Sequence, residues 1–171
     1  LALKHDLTKQ IPALERKYPK YEMYKDQQIT DLFTPEQLNG SIQLNAFLME
    51  TSLFINDGSG QFSRKSLPLE MQFSPVYAVE AGDYNGDGIP DILSGGNLHK
   101  VKPEVGRYDA NYGLYLTGDG KGGFKLVPPG VSGLRLEGEV RDIIELKVPD
   151  GRILISARSD GPLQVFKVLA P

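Results

Sequence analysis

Asp83-Tyr84-Asn85-Gly86-Asp87-Gly88-Ile89-Pro90-Asp91 sets oxygen-bearing side chains at alternate positions around an obligatory turn. Nine residues in this order supply what a calcium ion requires. Asp83, Asn85, Asp87 and Asp91 stand at ligand positions 1, 3, 5 and 9, the carbonyl of Ile89 at 7, and Gly88 takes the sharp bend at 6. Three carboxylates in one turn repel one another unless a cation lies between them. The donors are hard oxygens without His or Cys beside them, which favours Ca2+ over zinc or copper; six or seven flexible ligands favour it over magnesium. A wet acidic turn is the plainer reading, but Asp, Asn and Gly rarely fall on this alternation by chance.

The flanks decide what carries the loop. A helix-flanked calcium loop needs a bidentate Glu at position 12, where this chain has Ser94. Before the loop runs Val76-Tyr77-Ala78-Val79-Glu80-Ala81 and after it Asp91-Ile92-Leu93-Ser94-Gly95-Gly96, both short, rich in strand formers and bounded by glycine. The pattern predicts strand, loop, strand.

Working outward, the turn Asp57-Gly58-Ser59-Gly60-Gln61-Phe62 recurs as Asp119-Gly120-Lys121-Gly122-Gly123-Phe124. Each copy follows an apolar run, Leu53-Phe54-Ile55 or Leu114-Tyr115-Leu116, and precedes another strand, Phe62 to Leu69 or Phe124 to Val127. The glycines permit a hairpin turn, and the closing Phe is expected to return to the core. The loop hairpin also recurs in reduced form: Val140–Leu146 and Arg152–Ala157 lie over its two strands, with Lys147-Val148-Pro149-Asp150-Gly151 between them carrying one carboxylate. Leu163–Phe166 continues that copy. The tally is half a unit, a whole one and three-quarters of another.

All 19 glycines lie from Gly40 onward, which sets a boundary near Asn39-Gly40-Ser41 between a helical connector, residues 1–40, and β repeats over 41–171. In the connector Leu7, Ile11, Leu14 and Tyr18 follow helical spacing, with Pro12 starting or kinking the helix. A second helix is expected over 21–33, and Thr34-Pro35-Glu36-Gln37 reads as a capped helix start.

These residues resemble the FG-GAP/VCBS repeat over about residues 42–168. The stretch from Ala81 to Leu93, followed by Gly113 to Phe124, carries the likeness. Such repeats occur in integrin α-subunit propellers, in relatives of cartilage acidic protein with ASPIC/UnbV segments, and in large secreted bacterial proteins. The resemblance implies blades of four antiparallel strands, here near 76–82, 91–95, 113–118 and 123–128, with calcium held by Asp83, Asn85, Asp87, the Ile89 carbonyl and Asp91. A propeller closes with ~4–8 blades, so a mainly β, partial propeller with a short N-terminal helical segment is expected. Its open strand edges favour self-association or docking of further blades of a parent protein.

The bulk numbers narrow the function. A chain of 171 residues with net charge −3 does not favour nucleic acid or an anionic membrane, and no apolar run approaches the ~18 residues of a membrane span. No cysteine is present, which removes disulfides and thiolate metal sites. The start at Leu1, without Met or a basic-then-apolar leader, reads as a piece of a larger polypeptide. His5 and His99 fall in no pattern with Ser or Cys, and Asp83 with Asp87 as a glycosidase pair is a weaker account of their spacing than metal ligation. Gly118–Gly123 lacks the Lys-Ser/Thr ending of a phosphate loop.

The expectation is therefore a non-catalytic, calcium-binding scaffold for adhesion or interaction in a secreted or surface bacterial protein. The alternative is an accessory domain of an extracellular enzyme or glycan-binding protein. Residues 97–112 form a long, mixed-charge insertion whose Lys100, Lys102, Arg107, Tyr108 and Asp109 are candidates for contact with a protein or glycan, unless Arg107 and Asp109 pin the loop to its own sheet.

Overall fold

Pro12 divides the first amphipathic stretch into two short helices, α1 (Lys4–Gln10) and α2 (Ala13–Lys17). Without an N–H, proline cannot continue the hydrogen-bond ladder of the preceding turn, yet it loses nothing at the start of the next. A computed structural model describes residues 3–169. Leu14, Tyr18, Tyr24 and Leu32 are buried together, with Leu7, Ile11 and Phe33 packed around them. The helix expected over 21–33 is instead a 3₁₀ turn, Tyr21–Met23, and a one-turn helix, α3 (Ile29–Leu32). One local cap and two longer-range contacts of Tyr18 outbid the continuous ladder. The Gln28 amide donates to the Asp31 carboxylate at 2.7 Å, which starts a helix anew, and the Tyr18 hydroxyl lies 3.1 Å from both Gln27 Oε1 and the Asp31 carbonyl. The predicted cap before α4 (Pro35–Leu38) is present: the Gln37 amide donates to Thr34 Oγ1 at 3.3 Å, and the Thr34 amide to Gln37 Oε1 at 2.9 Å.

These helices belong to a compact unit ending at Phe47; a second begins at Leu48. The second is β throughout its regular structure apart from two short turns of helix. Strands β1 (Ser52–Asn56) and β2 (Phe62–Ser66) form a two-stranded ribbon. Strands β3 (Val76–Gly82), β4 (Asp91–Gly96), β5 (Leu114–Gly118) and β6 (Phe124–Val127) form a four-stranded antiparallel sheet in chain order. After the short helix α5 (Pro129–Ser132), β7 (Glu139–Val148), β8 (Gly151–Ser159) and β9 (Gln164–Val168) form a three-stranded one. The architecture is mainly β, in partial propeller-type blades.

Repetition extends to backbone detail. The β3–β4 register shifts between Val76 and Ala78, and the β7–β8 register between Val140 and Asp142, the same place in each hairpin. Where the first hairpin turns through the nine-residue acidic loop, the second turns on Pro149-Asp150 alone, pairing Val148 with Gly151. Strand β2 stops at Ser66, short of the expected Leu69, because Pro68 has no N–H for a ladder and leads into a 3₁₀ turn, Leu69–Gln72. Phe62, expected in the core, is 62% exposed, since a two-stranded ribbon has no further strand to cover it.

The core lies between the second and third sheets. Ala78 and Leu93 from one meet Val140, Ile143 and Leu154 from the other, with Leu134 and Leu136 closing the seam. Glycine makes the approach possible. A Cβ on Gly95 would stand 2.7 Å from Val140 Cγ1, and one on Gly96 would overlap the Pro75 carbonyl.

Candidate functional site

Antiparallel strands put alternate connections at opposite ends of a sheet, so the acidic loop and the 119–123 turn share one end of the second sheet and residues 97–113 occupy the other. At the first end the acidic loop builds itself from side-chain-to-amide bonds. Asp83 Oδ1 accepts from the Gly86 amide at 2.7 Å and Oδ2 from Gly88 at 2.9 Å. Asn85 Oδ1 takes the Asp87 amide at 2.9 Å, and Asp87 Oδ1 takes that of Ile89 at 2.7 Å. Gly86 and Gly88 adopt φ of 79° and 81°, values that a side chain would strain. The Gly88 amide, with that of Gly86 behind it, holds the Asp83 carboxyl below the usual carboxylate range.

Asp91 is different. It is fully buried. Its Oδ1 accepts from the Gly118 amide at 3.0 Å, and its Oδ2 from the Tyr84 amide at 3.1 Å and the Tyr115 hydroxyl at 2.9 Å. It thus ties the loop to β5. Burial, then the hydrogen bond to Asp91, pushes the Tyr115 phenol well above its ordinary value, so it stays a donor. The third sheet reaches the same loop through Arg152, which donates to the Asp83 carbonyl at 3.0 Å, pairs with Glu145 at 3.2 Å and lies 5.6 Å from the Tyr84 ring.

Donor type and loop conformation suit a hard divalent cation. Asp83, Asn85 and Asp87 each use one lone pair of an engaged oxygen for a main-chain amide, the work such oxygens do when a loop wraps an ion, and keep others. The Asn85 amide nitrogen itself donates to Asp87 Oδ2 at 2.9 Å. Among the described residues no three His, Cys, Asp or Glu side chains converge as a ready-made ligand cage.

The paired turns match each other atom for atom. Asp57 Oδ1 accepts from the Ser59 amide at 2.8 Å and the Gln61 amide at 3.3 Å; Asp119 Oδ1 accepts from Lys121 at 2.7 Å and Gly123 at 2.8 Å. Each turn closes with a 3.0 Å main-chain bond, Asp57 to Gln61 or Asp119 to Gly123. Residues 37–94 match the family model of the FG-GAP-like repeat. That stretch is similar to an FG-GAP-like repeat. The matched stretch takes in the β1–β2 ribbon and most of the β3–β4 hairpin with its acidic loop, so the FG-GAP-like repeat is phased across two blades. Neither the curated proteins nor the solved structures yield a match to the chain.

At the far end of the sheet, Asn97 organises the insertion. It is buried at φ 83°. Its amide nitrogen donates to the Asn111 carbonyl at 2.7 Å and the Gly138 carbonyl at 3.1 Å, while its oxygen accepts from Ser74 Oγ at 2.8 Å and the Asn111 amide at 2.9 Å. Leu98 and Tyr108 then pair as an antiparallel bridge. His99 lies 2.8 Å from Asp109, and Lys100 is 2.7 Å from Asp160. The His99 amide donates to Glu139 at 2.6 Å, and Glu139 pairs with Arg141 at 3.0 Å. Asp109 therefore holds the loop together through His99, whereas Arg107 lines a cleft whose lining does not include Lys102. Sequence reading missed Asn97, Glu139, Arg158 and Asp160. The partners that place them, Ser74 and Asn111 for Asn97, His99 for Glu139, the Glu137 carbonyl for Arg158 and Lys100 for Asp160, stand too far along the chain for spacing to reveal them.

Proposed function

We propose that the chain is a non-catalytic, calcium-stabilised segment of a propeller-type protein of the cell exterior, acting as an interaction scaffold. The observation that carries the reading is the Asp83–Asp91 loop, whose oxygens are set by main-chain amides at one end and by the buried Asp91 anchor at the other. Asp83, Asn85, Asp87, the Ile89 carbonyl and Asp91 would hold the ion. Calcium supplies counter-charge to three carboxylates and thereby folding stability. Binding constants of ~10⁻⁴–10⁻³ M, usual for extracellular modules, suit a structural ion.

Asp83 and Asp87, the pair that a glycosidase reading would use, both accept amides of their own loop, which supports turn-building over acid–base work. Strand β9 is an edge of the three-stranded sheet, and Val165 within it, like Leu163 before it and Leu169 after it, is exposed. That edge suits docking of further blades or of a second copy. The deciding experiment is thermal melting of the purified chain in millimolar calcium and in chelator; equal melting temperatures would remove the metal from this reading.

A further inference from the structure

The end of the sheets away from the acidic loop carries a second, differently charged feature. A cleft is walled by His99, Lys100 and Arg107 of the insertion, by Arg158 to Pro162 at the end of β8, and by Gly138 and Glu139 at the start of β7. Its acids are already answered: Glu139 by Arg141 at 3.0 Å and by the His99 amide at 2.6 Å, Asp160 by Lys100 at 2.7 Å. Two of its cations are not. Arg158 uses two of its five donors on carbonyls, Nε on Pro162 at 3.1 Å and Nη1 on Glu137 at 3.3 Å, and Arg107 makes no side-chain bond among the described residues.

Arg158 is also held in place. Gly138, at φ 82°, and Gly161 flank it, and a side chain on Gly161 would run into the guanidinium. Two guanidiniums without carboxylate partners thus face one polar cleft in a chain whose net charge is −3. Guanidinium is the group whose planar fork of donors matches a carboxylate in two parallel bonds.

We propose that this cleft binds carboxylate side chains of an acidic peptide segment from a partner protein, with Arg107 as the adaptable contact and Arg158 as the fixed one. A peptide fits better than a glycan. The lining has no Tyr, Phe or Trp face on which a sugar ring could pack, while the exposed Gly161 presents main chain without a side chain of its own beside the Arg158 guanidinium. The proposal deepens the scaffold reading by naming the partner's chemistry, and it rests on that reading alone, not on the calcium loop.

The test is an amide-resolved NMR titration of the whole chain, in calcium and low salt, with a capped Gly-Glu-Asp-Glu-Gly peptide. Shifts are expected at Gly138, Gly161 and Arg107, with affinity falling roughly tenfold or more in Arg107→Ala. Lys125→Ala removes the same charge from β6, outside the cleft, and should bind as the parent does. Absence of shifts at millimolar peptide, equal weakening by Lys125→Ala, or tighter binding of an oligogalacturonate than of the peptide would each overturn the proposal. A flat titration beside an intact chelator response would remove the cleft and leave the calcium loop standing.

Discussion

The Tyr115 hydroxyl donates to Asp91 Oδ2 at 2.9 Å inside the sheet, joining the last residue of the acidic loop, where β4 begins, to the neighbouring strand β5. With the Tyr84 and Gly118 amides it completes three donors around one buried carboxylate. Removing the acceptor strands all three. Asp91→Ala should cost about 3 kcal/mol and Tyr115→Phe about 1 kcal/mol in urea unfolding, because an unmade buried bond costs more than a made one gains. Equal losses for the two variants would show that the carboxylate is not the hub.

Asp87 separates metal from fold. Among the described residues its carboxylate accepts only within the loop, from the Ile89 amide and from the Asn85 side-chain amide. In Asp87→Ala the melting temperature should become indifferent to chelator, while far-UV circular dichroism stays that of the parent. A variant that still responds to chelator would place calcium elsewhere.

Gly96 admits no side chain, since its Cβ would overlap the Pro75 carbonyl, a backbone atom that cannot rotate away. Gly96→Ala should destabilise by about 2–3 kcal/mol, the range for forced overpacking. Gly130, with open space around its Cβ site, serves as the control and should tolerate Ala within about 0.5 kcal/mol. Thermal melts of both variants read the contrast.

Asn97→Ala removes four side-chain bonds at a residue of positive φ. The expected loss is about 3 kcal/mol, combining unsatisfied buried groups with backbone strain. Limited proteolysis should then cut within residues 98–110 before any other β-unit loop. Unchanged cleavage would mean that the Leu98–Tyr108 bridge alone fixes the insertion.

Glu139 sets a pH dependence. The His99 amide, and then the Arg141 guanidinium, hold its carboxyl below the ordinary Glu value in the folded state. The unfolded chain therefore takes up the proton first as pH falls. The stability contributed by Glu139 is complete above the unfolded value and declines as pH drops through that value to the lower, folded one. Glu139→Gln should flatten this part of the acid limb while leaving the alkaline side unchanged; an acid limb of undiminished slope would assign it to other carboxylates.

What could be read from the sequence is what folds within a few residues. The alternation of Asp83, Asn85, Asp87 and Asp91, the Asp57 and Asp119 turns, and the Thr34–Gln37 cap each bond to amides two to seven positions away, so spacing carries their geometry. The helix expected over 21–33 failed at the limit of that logic. Helical periodicity was present, but Tyr18, reaching across nine and thirteen residues, and the Asp31 cap favoured a break. Only the tertiary structure decided the rest. It made Asp91 a buried anchor to β5 as well as the last oxygen of the loop, made Asn97 a hub and joined His99 to Glu139 forty residues on. It also left Arg107 and Arg158 facing one cleft. Those pairings depend on how two sheets pack, and packing joins residues whose separation along the chain has no period to read.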